Sequence, residues 1–82
     1  MAKRKKSFGG VLRDLRLSSD LFQEDIANIC EVTPQFISNW ECGRSYPPPE
    51  RLQAACDEYG WDYEGLSKLI VKEKHDKSKF GY

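Results

Sequence analysis

QEDIANICEVTPQFISNWECG, residues 23–43, decides the fold. Its first part predicts a helix from about Gln23 to Cys30. Ile26, Ala27 and Cys30 fall at i, i+1 and i+4, the spacing of one buried helix face. Glu24 and Asp25 lie in the first turn, where acids suit the positive end of the helix dipole by a few tenths of a kcal/mol. Glu31 and Val32 make a turn. Thr33 then suits an N-cap, and Pro34 suits the first helical position, where its missing N–H costs nothing. The second helix continues through Gln35, Phe36, Ile37, Ser38, Asn39, Trp40 and Glu41, and Gly43 stops it. Two helices of roughly eight residues, joined by a three- to four-residue turn, form a helix-turn-helix.

The flanks supply what such a motif packs on. Ser7 can cap a helix carrying Phe8, Val11, Leu12 and Leu15, which runs to about Leu17 before a loop at Ser18-Ser19-Asp20. Pro47-Pro48-Pro49 makes a stiff connector. A fourth helix follows from about Pro49 to Tyr59, with Leu52, Ala55, Cys56 and Tyr59 on one face, and Gly60 ends it. Asp62 can cap a fifth helix bearing Leu66, Leu69 and Ile70, although Gly65 weakens its first turn by about 1 kcal/mol. No strand signal and no repeat appears, so the predicted class is all-α with five helices. The expected organisation is a flexible basic arm at 1–7, a helical domain at 8–73 and a disordered polar tail at 74–82. Trp40, Tyr59 and Trp61 read as core or near-core. Cys30 and Cys56 read as small buried apolar residues, and Cys42 as an exposed bystander.

With 82 residues the chain makes one small domain, marginal alone unless its helices are regular or it pairs with a copy of itself. No apolar run reaches the roughly 18–20 residues of a membrane span, and the basic N-terminus has no apolar stretch behind it. Three scattered cysteines without CxxC spacing argue against a disulfide frame and a zinc site and suit a cytoplasmic location. No cofactor is implied. The only histidine, His75, lies in the polar tail and leaves no base beside a nucleophile, so an enzyme is the weakest reading.

Charge is zero in sum but unevenly spread. Residues 1–7 carry Lys3, Arg4, Lys5 and Lys6, a charge of +4. Residues 8–67 set four basic side chains against eleven acidic ones, a charge of −7. Residues 68–82 carry +3. Nucleic-acid binders usually present a basic face to replace condensed counterions, so the acidic body weighs against that class.

The side chains of the second motif helix weigh for it. Val32, Ile37 and Trp40 are needed to seat the helix, which leaves Gln35, Phe36, Ser38 and Asn39 facing outward behind Thr33. Glutamine and asparagine can pair with an adenine edge, serine with bases or phosphate, and an apolar ring with a thymine methyl. Phe36 equally suits packing on Phe22. Gln23 opens the preceding helix, where free backbone N–H groups favour a phosphate. No acid stands between Thr33 and Trp40. The Lys3–Lys6 run is either a solvated end or an arm that tracks phosphate.

FGGVLRDLR (8–16), LFQEDIA (21–27) and VTPQFISNWECG (32–43) together resemble the Cro/C1-type helix-turn-helix family, also called the xenobiotic-response-element family. The resemblance implies a five-helix, lambda-repressor-like domain bound to double-stranded operator DNA, usually as a homodimer. It implies that Gln23 contacts phosphate, that Gln35 and Asn39 read bases with Ser38 beside them, and that Arg44, Ser45 and Tyr46 lie on a backbone-contacting loop. It implies a structural ion pair between Arg16 and Glu41. Three positions depart from the pattern. Phe22 replaces a capping serine or threonine, and Asp20 and Glu31 stand where glycine is usual. Glu31 is therefore expected to need a left-handed backbone or a different turn.

Two functions follow as expectations. One is a sequence-specific transcriptional regulator, a small phage-type or bacterial repressor. The other is an antitoxin or adaptor whose acidic surface binds a protein partner, such as a toxin or regulator. An apolar patch of Leu66, Leu69 and Ile70 with Trp61 or Tyr63 serves either a dimer surface or closure of the core.

Overall fold

The structure, a computed structural model, describes residues 7–79, with the backbone alone for 76–79. Five helices follow one another: α1 (Phe8–Ser18), α2 (Gln23–Cys30), α3 (Pro34–Cys42), α4 (Pro49–Tyr59) and α5 (Tyr63–Lys79). No strand occurs among the described residues. The basic arm, Lys3 to Lys6, lies outside them, as do residues 80–82 of the tail.

One core joins all five helices. Phe8 and Leu12 enter from α1, Ile26, Ala27 and Cys30 from α2, and Ile37 and Trp40 from α3. Leu52, Ala55 and Cys56 complete it from α4, with Leu66 and Ile70 from α5. Leu66 and Ile70 therefore close the core, and Leu69, Trp61 and Tyr63 pack partly buried against it. Burial pushes the Cys56 thiol up to about 11, with Asp57 and Asp62 adding to the effect. Burial also raises Cys30, against the pull of Arg51. Both sulfurs thus sit as neutral packing groups, whereas Cys42 is exposed.

Four helices end alike. Asp20, Glu31, Gly43 and Gly60 all have left-handed backbone after α1, α2, α3 and α4. In each case the next N–H reaches back to a carbonyl five residues earlier: Leu21 to Arg16, Val32 to Ala27, Arg44 to Asn39 and Trp61 to Cys56, at 2.9–3.0 Å. This closure satisfies otherwise orphaned helix carbonyls. Glycine meets the left-handed requirement at two of the four sites, and acidic residues carry the strain at the others.

The starts differ more. Ser7 Oγ accepts from Gly10 N–H at 3.2 Å and caps α1. Phe22 cannot cap α2, but Asp25 reaches back and accepts from Phe22 N–H at 2.7 Å, half of a capping box. Thr33 holds the N-cap position of α3 with extended backbone, yet its side chain makes no capping bond.

Helix α5 continues to Lys79, past residue 74, where a polar tail was expected to begin. Neither glycine nor proline interrupts residues 66–79. Glu73 anchors this extension: its carboxylate accepts from Phe8 N–H at the start of α1 and from Tyr46 Oη at 2.7 Å. Lys74 Nζ lies 5.5 Å from the centre of the Tyr46 ring. Glu73 continues the core-facing stripe of Leu66 and Ile70 at i+7 and i+3, so an acid at a core register was the sequence signal for this contact.

Candidate nucleic-acid interface

Helices α2 and α3 meet across Glu31, Val32 and Thr33. Ala27 is only 1% exposed, and its small side chain lets α3 approach. On the other side, α1 comes closer still. A Cβ placed on Gly9 would stand 2.4 Å from the Glu41 carbonyl oxygen and 2.7 Å from that of Trp40. Gly9 thus sets the height of α3 on the domain. The FGG sequence showed the glycine, but only the three-dimensional packing shows why no other side chain fits.

A second device sets the angle of α3. Arg16 Nε donates to Glu41 Oε2 at 2.7 Å and Arg16 Nη2 to Glu41 Oε1 at 3.2 Å. The two side chains are 12% and 5% exposed. Arg16 Nη1 also donates to the Leu21 carbonyl at 3.0 Å, and Gln23 Nε2 donates to Glu41 Oε1 at 3.2 Å. The Glu41 carboxylate therefore ties α1 and the start of α2 to the end of α3, and its partner Arg16 holds the α1–α2 loop as well. Gln23 stands half-buried in this network, with its backbone at the first turn of α2.

With α3 seated through Ile37 and Trp40, its other side faces solvent. Thr33, Gln35 and Phe36 are exposed, and Ser38 and Asn39 are half-buried. Gln35 Nε2 donates to Asn39 Oδ1 at 3.2 Å, and Arg44 Nη1 donates to the same oxygen at 3.2 Å. Three polar side chains from α3 and the following loop are thus linked into one surface group. Phe22, 76% exposed, and Phe36, 48% exposed, are large apolar side chains that stand open to solvent.

The loop residues after Arg44 behave differently. Ser45 is half-buried. Tyr46 packs its ring against Phe8, with centroids 6.0 Å apart, and turns its hydroxyl to Glu73. Burial, reinforced by Glu73, pushes the Tyr46 phenol up to about 12. Its hydroxyl is engaged inside the domain, so any contact from this residue to an outside ligand uses its backbone or ring edge.

Among the described residues, no group of three or more histidine, cysteine, aspartate or glutamate side chains is placed to hold a metal ion. No helix there is long and apolar enough to cross a membrane.

This arrangement of α2, a three-residue turn and an outward-facing α3 defines a helix-turn-helix domain. Residues 7–69 match the family model described as a helix-turn-helix domain, and the chain belongs to that family. Its fold is similar to that of the clp gene regulator ClgR from C. glutamicum, with a TM-score of 0.64 and 23% identity over 80% of this chain and 86% of that one. At that identity the likeness is one of fold. No match is found among curated proteins.

Proposed function

We propose that this chain is a sequence-specific DNA-binding transcription regulator of the Cro/C1 type, a small repressor that inserts α3 into the major groove of its operator. The observation that carries this reading is the linked group of Gln35, Asn39 and Arg44 on the open face of α3. Among the described residues, Gln35 Oε1 and Asn39 Nδ2 have no intramolecular partner. One acceptor and one donor side by side match the N6 donor and N7 acceptor of an adenine edge. Ser38 stands beside them, and Thr33 and Phe36 flank the entering end of the helix. Phe36 offers an apolar contact for a thymine methyl.

Phosphate contacts come from neighbouring elements. The backbone N–H groups at Gln23 point from the start of α2, where the dipole favours an anion. Asp25 already holds the N–H of Phe22 with its carboxylate, and its own N–H donates to the Phe22 carbonyl at 3.0 Å, so neither of these two amides is available to a phosphate. Arg44 and the Ser45–Tyr46 backbone supply the loop contact. Lys3, Arg4, Lys5 and Lys6 supply an arm that tracks the backbone. Two copies of the domain on a two-fold operator, with half-sites about 34 Å apart, multiply this modest affinity. The reading requires no cofactor and implies a cytoplasmic protein.

The −7 body favours a second reading, an antitoxin or adaptor that binds a protein partner such as a toxin. The two separate in one experiment: selection of bound duplexes from a random pool. Enrichment of a two-fold motif is expected, and a pool without enrichment sinks the operator-binding reading in favour of the adaptor.

A further inference from the structure

An apolar groove of about 300 Å³ lies between α1 and α5, lined by Val11, Leu15, Asp62, Gly65, Leu66 and Leu69. Val11, Leu15, Gly65 and Leu69 are half-buried in it. Val11 stands about 160° round α1 from Gly9, which touches α3, so the groove and the α3 contact use different sides of α1. Along one side of α5, Asp62, Gly65, Leu69 and Lys72 follow at intervals of three, four and three residues. That is the a/d spacing of a seam that meets a second helix. A Cβ on Gly65 would stand 2.5 Å from Asp62 Oδ2, so the Asp62 carboxylate lies over the glycine, on the seam itself. Asp62 and Lys72, at the two ends of the seam, are exposed. Among the described residues, neither makes an ion pair within the chain.

We infer that this seam and groove receive the α5 helix of a second copy of the chain, the two helices running antiparallel about a two-fold axis near Ser67. The seam is self-complementary in that register. About a centre at residue 67, Gly65 stands opposite the partner's Leu69, and Asp62 opposite the partner's Lys72. The missing side chain at Gly65 makes room for the incoming leucine, which enters the groove beside Val11 and Leu15. By symmetry each copy fills the other's groove, an isologous contact driven by the apolar surface it removes from water. The parallel arrangement sets Asp62 on Asp62 and Lys72 on Lys72, so like charge disfavours it at both ends. This pairing supplies the second copy that the operator reading invokes. It is carried by α1 and α5 and does not depend on that reading.

The test uses the full chain without DNA. Sedimentation equilibrium at low salt, over a range of concentrations, compares the unaltered chain, Lys72→Glu, Asp62→Lys and an equimolar mixture of the two variants. Arg13→Glu is the control, an exposed residue about 160° round α1 from Val11 with the same change of charge as Lys72→Glu. The unaltered chain is expected to dimerise reversibly. Each variant alone sets like charges opposite one another at both ends of the seam, and its dimerisation should weaken by about tenfold. The mixture should recover the unaltered affinity, because a pair made of one variant of each kind again sets opposite charges together at both ends. Arg13→Glu should dimerise like the unaltered chain. Circular dichroism checks that the variants stay helical. Asp62→Asn keeps a capping side chain and should show a smaller loss if Asp62→Lys unfolds α5. An unaltered chain that stays monomeric throughout overturns the inference and leaves the groove to a different partner, while the operator reading is still judged by duplex selection. A dimer that neither variant weakens, or that mixing does not restore, uses another surface and overturns the inference as well.

Discussion

Removing the Arg16 side chain is expected to cost more than any other single change at the α1–α3 contact. In Arg16→Ala, Glu41 keeps only the Gln23 amide as a partner, at 3.2 Å, and loses both guanidinium bonds. Its carboxylate is 5% exposed, so water cannot replace them fully. Breaking such a pair from one side costs about 3–5 kcal/mol. The Leu21 carbonyl loses its donor as well. A chain of this size has about 4–12 kcal/mol of stability in total, at ~0.05–0.15 kcal/mol per residue. The variant should therefore melt at least roughly 12 °C lower, at about 4 °C or more per kcal/mol. Circular dichroism during heating and urea titration reads this directly. The paired replacement Arg16→Met/Glu41→Leu leaves no buried charge and should recover most of the loss, so the double-mutant cycle is strongly non-additive. A single-variant cost below about 1 kcal/mol, the range of exposed pairs, would refute the reasoning. So would a double variant as unstable as the sum of the singles.

Other changes test the packing of the motif. Gly9→Ala must displace the Glu41 and Trp40 carbonyls and should cost about 1–3 kcal/mol in urea unfolding, as overpacking does. Glu31→Gly relieves left-handed strain at φ 59° and gives up only an exposed contact to Arg51. Strain relief of about 1–2 kcal/mol less roughly 0.5–1 for glycine's entropy should leave the fold more stable by about 0–1.5 kcal/mol. Tyr46 has a phenol raised to about 12 from 10.0, so its stabilising effect is complete below pH 10 and is lost as pH rises towards 12. Unfolding compared between the unaltered chain and Tyr46→Phe should show a steeper alkaline decline in the former, and equal slopes would count against the Glu73 contact. A thiol reagent should label Cys42 rapidly in the native chain, and Cys30 and Cys56 only on unfolding.

Much of this architecture was legible in local chemistry. Pro34 and Gly43 bracket α3, and Pro49 and Gly60 bracket α4, because these residues act on their own backbone wherever they occur. The outward set on α3 was legible because Ile37 and Trp40 leave no other face to bury. The left-handed turn at Glu31 was legible as a conflict between residue and position, and the structure resolves it by bearing the strain. Contacts between distant residues were not legible. Nothing near Gly9 in sequence announces the Glu41 carbonyl against it. Lys and Asp around residues 74–79 read as solvated tail until Glu73 is seen holding Phe8 and Tyr46 from 65 and 27 residues away. Tyr46 shows the same limit, since its place in the loop suggested an outward contact while its hydroxyl serves an internal one.

The central claim is that the linked side chains on α3 read base edges. Duplex selection from a random pool, repeated with Gln35→Ala and Asn39→Ala, tests it most directly. The account predicts that each variant still binds but relaxes the same one or two positions of the motif, by roughly 1–3 kcal/mol of discrimination. Overlap of the relaxed positions is expected because the Gln35 and Asn39 carboxamides are hydrogen-bonded to each other. Variants that select the unaltered motif with unaltered stringency would contradict the claim.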